Sequence, residues 1–304
     1  MNPLRIVSLV PSATEIVYLL GLGDFLAARS HDSNYPPEAA VKPVVSQSVL
    51  PAGLTSRQID EAVRSSSHTG TSLFHIDQKK LSQLEPNLIL TQELCQVCAP
   101  TFSQIQKAAR ILEGKVKVVS LEPHSIEDVF ENIITVGEFA GRKKLAVSIV
   151  EKLKSEVADV TQKVRNMNKP SVVIIEWLDP VMIAAHWVPQ MVDIAGGQTL
   201  LSQPFMKSKR VFWQEVLVAN PDILILAPCG FDVERTKKEI ELLTSKPAWR
   251  RLNAVKNKRV WFMDGDAYLT RSGPRLIDGI KIMAKIIHPE VFGTPSLQEA
   301  EIYA

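Results

Sequence analysis

The chain is poor in the residues that advertise a chemistry. Its 304 residues include only three cysteines, Cys95, Cys98 and Cys229, so no disulfide framework can be built and one thiol is left over in any pairing. Charge of neither sign is in excess, since 35 basic and 33 acidic side chains leave a formal net charge of +2. Without a basic stripe or a run of like charges, neither a nucleic acid nor a membrane surface is expected as partner. No apolar run approaches the length of a membrane-spanning helix. The stretch after Arg5 is interrupted by Pro11 and Glu15 and leads to no small-residue cleavage site. It does not read as a secretory signal, which gives a cytoplasmic expectation. The Gly-x-Ser-x-Gly elbow, the phosphate-cradling glycine loop and the His-Glu-x-x-His helix are all missing. No catalytic residue is assigned, and the chain is not expected to be an enzyme.

What the chain does have is periodicity. Ser125-Ile126-Glu127-Asp128 has the form of a capping box, and Ile126, Val129, Ile133, Val136 and Ala140 follow at helical spacing up to Gly141. A longer pattern then places Leu145, Ile149, Leu153, Val157, Val160 and Val164 on one face, with lysines and glutamates opposite. From Arg142 to Met167 it predicts an unbroken rod of roughly 39 Å. A rod of that length suits a connector between two lobes.

Either side of this helix the pattern recurs. Arg5–Val10 reads as a buried strand, followed by a capping box of Ser12 with Glu15 and a helix ending near Gly21 and Gly23. Ser171–Glu176 reads as a strand and leads to a helix ending at Gly196 and Gly197. Leu84-Glu85-Pro86-Asn87 enters the strand Leu88–Leu90, and Ala219-Asn220-Pro221-Asp222 enters Ile223–Leu226. Each half adds a further strand, Val116–Leu121 and Arg259–Met263. Short strands are also expected at Phe25–Arg29 and Val41–Val45, and an exposed loop at Ser65–Gly70. Strands alternating with helices imply parallel sheets. The fold expectation is therefore α/β: two parallel-sheet lobes, 1–124 and 170–292, a helical segment at 125–169 holding the bridging helix, and a capping tail at 293–304.

Two such lobes leave a cleft, and in open α/β sheets ligands lie beyond the carboxyl ends of the strands. Those ends carry Ser12 and Thr14, Tyr35, Gln92–Cys98, Trp177–Trp187, Trp213 and Asp264–Arg275. Three of the chain's five tryptophans, Trp177, Trp187 and Trp213, fall there. Flat apolar walls with few donors suit a large amphipathic ligand, although each indole could equally cap its own core. Cys95-Gln96-Val97-Cys98 reads as a wall loop, a ligand contact, or a redox or metal site. As zinc ligands the pair lacks a second pair. His186 is the best-placed histidine to reach a bound ligand's metal; His31, His68 and His75 are scattered and give no ligand signature.

Several segments in order carry a resemblance: Arg5-Ile6-Val7-Ser8-Leu9-Val10-Pro11-Ser12-Ala13-Thr14-Glu15, Asn34-Tyr35-Pro36-Pro37, Trp213-Gln214-Glu215-Val216-Leu217 running into Asn220-Pro221-Asp222, and Arg271-Ser272-Gly273-Pro274-Arg275. From about Arg5 to His288 the chain resembles the helix-bridged substrate-binding proteins of ABC importers for cobalamin, siderophores and haem, most closely the cobalamin-binding branch. The resemblance implies a non-catalytic binder of cobalamin or a related corrinoid, held flat between aromatic side chains. Tyr35 and Trp213 match the stacking positions, Tyr268 stands at a related aromatic position ahead of Arg271, and the Ser12 turn offers a helix N-terminus. It also implies an ABC permease as partner, met through acidic residues. Glu215 stands in the second-lobe position, whereas the first-lobe region reads Gln78-Lys79-Lys80. A signal-less cytosolic relative acting in retention or salvage fits that basic patch and the missing signal; the alternative is an extracytoplasmic protein. A ferric siderophore or haem binder and a corrinoid- or tetrapyrrole-chelatase-like enzyme are the rival readings. With no heptad seam, a monomer is expected.

Overall fold

A computed structural model describes residues 3–69, 73–92 and 116–303. The chain forms two compact units. The first comprises Met1–Leu54, Glu61–Pro123 and Glu127–Val150, and the second Thr55–Asp60, His124–Ile126 and Glu151–Ala304.

The first unit starts with β1 (Ile6–Ser8), α1 (Pro11–Leu19), β2 (Leu26–Arg29) and β3 (Ser46–Ser48). It continues through α2 (Ser56–Thr69), whose first turn clusters with the second unit, and then β4 (Phe74–Ile76) and α3 (Gln78–Gln83). β5 (Leu88–Thr91), β6 (Lys117–Ser120) and α4 (Ile126–Phe139) precede α5 (Lys143–Val164), inside which the division between units falls. Its sheet runs in the order β2-β1-β5-β6 and is parallel throughout, as the alternation of strands and helices predicts. Val7, Leu9, Ala28, Val45, Ile76, Leu81 and Ile89 form a buried cluster on it. β3 and β4 make a separate antiparallel pair.

Four local expectations change here. α1 begins at Pro11 with Val10 as N-cap, and no side chain caps it. Proline at the first helical position needs no donor and presets φ, so the helix starts early and Ser12 and Glu15 become buried interior residues instead of a capping box. Val41–Val45 is not a continuous strand: a 3₁₀ turn covers Pro37–Val41, and only Val44 bridges Arg29. Ser65–Thr69 is the end of α2, not a loop. The long helix, expected over Arg142–Met167, spans Lys143–Val164, and the chain leaves it through a turn in which Met167 donates to the Val164 carbonyl at 3.0 Å.

The second unit contains β7 (Ser171–Leu178), β8 (Val181–Ile183), α6 (Val188–Ile194), β9 (Gln198–Thr199), β10 (Lys209–Arg210) and α7 (Trp213–Ala219). β11 (Ile223–Leu226), α8 (Val233–Lys238), α9 (Glu241–Thr244), α10 (Asn253–Lys256) and β12 (Val260–Met263) follow. α11 (Gly265–Tyr268), α12 (Leu276–Ile287), α13 (Pro289–Phe292) and β13 (Ala300–Ile302) complete it. The sheet order is β10-β8-β7-β11-β12-β13, with β9 beside β7. β7, β11 and β12 are parallel and every residue of Val172–Ile175 and Ile223–Leu226 is buried, as continuous apolar strands should be. Antiparallel strands flank this core: β8 and β10 on one side and β13 on the other. The expected capping tail thus supplies an edge strand, anchored where Tyr303 donates to the Val260 carbonyl at 2.8 Å.

The two Pro-containing turns are alike. Glu85 and Asn220, each followed by proline, adopt left-handed backbone with φ of 43° and 40°, and each turn delivers the chain into a buried parallel strand.

Candidate ligand-binding site

In the first unit the turn after β1 brings Ser8, Ser12 and Thr14 together. All three are buried. Thr14 Oγ1 donates to Ser8 Oγ at 2.8 Å, and Ser8 Oγ donates to the Val10 carbonyl at 3.0 Å. The hydroxyl of Thr14 therefore stabilises its own turn, and what the turn can present to a ligand is the backbone of the first helical residues. Tyr35 lies further on, ahead of cis Pro36, and is 42% exposed.

In the second unit Trp177 occupies the end of β7. Its ring packs on Phe231 with centroids 5.3 Å apart, and its Nε1 donates to the Ser56 carbonyl at 3.2 Å. Arg235 lies 4.8 Å over the Phe231 ring and pairs with Glu239 at 2.7 Å. Glu239 in turn accepts the Ser56 backbone N–H at 3.0 Å and its hydroxyl. Phe231, Arg235 and Glu239 were not among the expected site residues. The strand-end rule points to Phe231, because Ala227–Phe231 directly follows β11, and the other two come with the helix after it.

Trp187 and Trp213 are both tied to their own unit. Trp187 is buried and its Nε1 donates to the Leu269 carbonyl at 2.8 Å. Trp213, at the first position of α7, donates from Nε1 to the Pro247 carbonyl at 2.9 Å and stacks on Trp249 at 6.0 Å. Trp187 thereby belongs to the core, while Trp177 and Trp213 are half-buried and Tyr35 is exposed. Glu215, expected at a partner surface, accepts the Phe212 N–H at 2.7 Å and so caps α7.

Arg271 is buried and forms a two-pronged pair with Asp266: Nε to Oδ1 at 3.0 Å and Nη2 to Oδ2 at 2.5 Å. A guanidinium spent this way is not available to a ligand as a free cation. Arg275 stands 6.0 Å from the Tyr268 ring centroid. Asp264 caps α11 by accepting the Ala267 N–H at 2.7 Å; burial nevertheless pushes its carboxyl above the usual range. The segment can sit this close to β11 because residue 265 is glycine, since a Cβ there would lie 2.3 Å from the Pro228 carbonyl oxygen.

His186 follows β8 with φ of 55°, held by its N–H donating to the Met206 carbonyl at 2.8 Å and its carbonyl accepting from Phe205 at 3.1 Å. Its ring lies 5.7 Å from that of Trp187, and its Nδ1 is buried with no partner among the described residues. Burial first, then His124 and Lys207, hold its pKa below the usual value. The fold therefore favours the neutral form of the imidazole. His31 instead bonds Ser46 at 2.8 Å. Among the described residues no three His, Cys, Asp or Glu side chains are grouped to hold a metal ion. Cys95, Gln96 and Cys98 lie outside the described residues.

Two α/β units, each built on a sheet with a parallel core and divided within one long helix, place the chain in the two-lobe α/β class. Within that class the chain belongs to the periplasmic binding protein family, whose model matches residues 6–267. It is similar to an uncharacterized ABC transporter substrate-binding lipoprotein, YvrC, of Bacillus subtilis, with 26% identity covering 96% of this chain and 82% of that protein. It is 22% identical to a vitamin B12-binding protein of Vibrio cholerae over 91% of this chain and 86% of the relative. A periplasmic heme-binding protein from Pseudomonas aeruginosa shares the fold with a TM-score of 0.73 at 16% identity, covering 99% of this chain and 98% of that one.

Proposed function

We propose that this chain is the non-catalytic solute-binding component of an ABC-type uptake system and that its ligand is cobalamin or a related corrinoid. The observation that carries the choice is the pairing of Arg271 with Asp266. A ferric siderophore, commonly anionic, calls for clustered free cations, and the most deeply buried arginine of the expected site is already neutralised. A corrinoid, whose periphery is dominated by neutral amides, instead asks for ring surfaces and hydrogen-bonding backbone. Tyr35, Trp177 and Tyr268 supply the first in this proposal, and the first turn of α1 at Ser12 supplies the second. The similarity to vitamin B12-binding proteins along nearly the whole chain supports the same choice.

His186 is proposed to reach the ligand's metal, as a neutral imidazole can displace a weak axial ligand. The relatives described as lipoprotein or periplasmic support the extracytoplasmic alternative over the cytoplasmic one, with a permease as partner. Glu215 is proposed as one docking group.

Calorimetric and absorbance titration with cyanocobalamin, aquacobalamin, hemin and a ferric siderophore tests the assignment. Cobalamin binding that weakens in Tyr35→Ala and Trp177→Ala supports it. A spectral shift with aquacobalamin that disappears in His186→Ala assigns the metal donor. Binding of hemin or the siderophore with no binding of either cobalamin overturns it.

A further inference from the structure

The residues considered so far lie where strands of the second unit end. A separate groove opens where β7 and β12 begin. Its volume is about 340 Å³, and its lining includes Arg259, Trp261, Lys285, His288, Glu290 and Pro295. That is within the size range of small-molecule pockets.

Arg259 immediately precedes β12 and Trp261 lies within it, and both line the groove. Arg259 donates from Nη2 to the Ile286 and Ile287 carbonyls, both at 2.9 Å. These bonds fix the guanidinium against the last turn of α12. They leave Nε and Nη1, which point to different sides of the guanidinium, without an acceptor among the described residues. The Trp261 Nε1 is buried and also has no acceptor among them. A buried indole N–H left unmatched is unfavourable, so a small shift of the groove wall that admits a ligand oxygen gains a bond the protein does not provide.

Of the groove's other charged groups, Lys285 and His288 are occupied. Lys285 pairs with Glu299 at 2.5 Å, and His288 contacts Glu290 at 3.2 Å and the Gly196 carbonyl at 3.1 Å. We propose that this groove binds small organic acids bearing one carboxylate and a short apolar body. A single free N–H of the guanidinium can donate to one carboxylate oxygen, the indole N–H can donate to the other, and Ile286, Ile287 and Pro295 supply apolar walls. Asp222 and Glu290 lie in the field of Arg259, and their charge disfavours a second negative charge on the ligand. Burial also pushes the Arg259 pKa down, so its cation is poorly solvated and gains from an anionic partner.

The test is NMR of the full ¹⁵N-labelled chain titrated with benzoate, acetate and inorganic phosphate. Comparison with Trp261→Phe identifies the Trp261 indole signal. A saturable movement of that signal with benzoate, smaller with acetate and absent with phosphate, is the expected result. In calorimetry Arg259→Lys and Trp261→Phe should each weaken benzoate about tenfold, the size of one lost hydrogen bond to a charged group. Trp261→Phe keeps the readout available if Arg259→Lys loosens α12. An indole signal unmoved by benzoate, unchanged affinity in Trp261→Phe, or tighter binding of phosphate would each overturn the proposal.

Discussion

Asp222 fixes the first residue of β7. Its Oδ2 accepts both the backbone N–H of Ser171 at 2.9 Å and the Ser171 hydroxyl at 2.7 Å, and Ser171 Oγ accepts the Asp222 N–H at 2.9 Å. Asn87 has the same relation to the chain entering β1, its Oδ1 accepting the Arg5 N–H at 2.9 Å. The two units thus solve the same problem with an acid in one and an amide in the other.

That difference is measurable. The bonds from Ser171, the backbone one first, hold the Asp222 carboxyl below its usual pKa. A folded pKa below the unfolded one gives stability that is present above about pH 4 and disappears as pH falls through the folded value. Asp222→Ala should cost about 1–3 kcal/mol near neutral pH, and much of that penalty should vanish in acid. Asn87→Ala should cost a similar amount at every pH. Urea unfolding of both variants near neutral pH and at about pH 3 makes the comparison. A pH-independent loss in Asp222→Ala would show that the carboxylate charge contributes nothing.

Gly279 and Gly265 are positions where any side chain must displace backbone. A Cβ on Gly279 would lie 2.2 Å from the Tyr268 carbonyl oxygen. Gly279→Ala should therefore destabilise by about 1–3 kcal/mol and shift α11 away from α12. Thermal unfolding reads the first effect, and weakened cobalamin binding at a temperature where the variant is folded reads the second. A variant with unaltered melting temperature would mean that the two helices separate freely.

Arg271 separates two roles cleanly. As a ligand contact, Arg271→Ala would lower affinity at unchanged stability. The buried pair with Asp266 leads us to expect a stability loss of about 3 kcal/mol, because removing one partner strands the other charge. Chemical denaturation in the absence of ligand distinguishes these outcomes.

Trp213 should behave similarly. Its indole N–H bond to Pro247 and its stack on Trp249 mean that Trp213→Ala should cost about 1–2 kcal/mol. Trp213→Phe should recover part of the stacking but not the hydrogen bond. Ligand affinity that falls in Trp213→Ala with no loss of stability would instead return the ring to the binding surface.

His186 is expected to titrate below its usual value of about 6.5. Protonation is disfavoured in the fold, so its contribution to stability is complete above that value and is lost as pH falls toward the folded pKa. The ring-proton shift followed by NMR should show the low midpoint, and Lys207→Met should raise it. A midpoint at or above the ordinary value contradicts the buried, unpartnered environment.

How far the sequence could be read depends on whether a residue's decisive partner is near in the chain. Pro86-Asn87 and Pro221-Asp222 announced strand entries because their effect is local. β7, β11 and β12 were legible as apolar runs. The capping box at Ser12 was misassigned because Pro11, one residue earlier, already starts the helix. β13 was missed because its strand character comes only from pairing with β12, some forty residues away. The tryptophans stand out in the sequence, but the carbonyls of Ser56, Leu269 and Pro247 that accept from them do not, since they are distant in the chain. Arg271 looked like a ligand cation until Asp266, five residues before it, was found holding both prongs.

β13 has a consequence for handling the protein. It occupies the outer edge of β12, where Tyr303 also meets Trp249 and Phe262 edge-on at 5.9 and 6.2 Å. Removing the last strand would bare a row of unpaired amides and carbonyls beside two aromatic rings, a template on which another molecule's strand can add. Shortened versions of this chain should accordingly fail by sticking to one another before they fail by melting, and a purification handle is better joined at the other terminus.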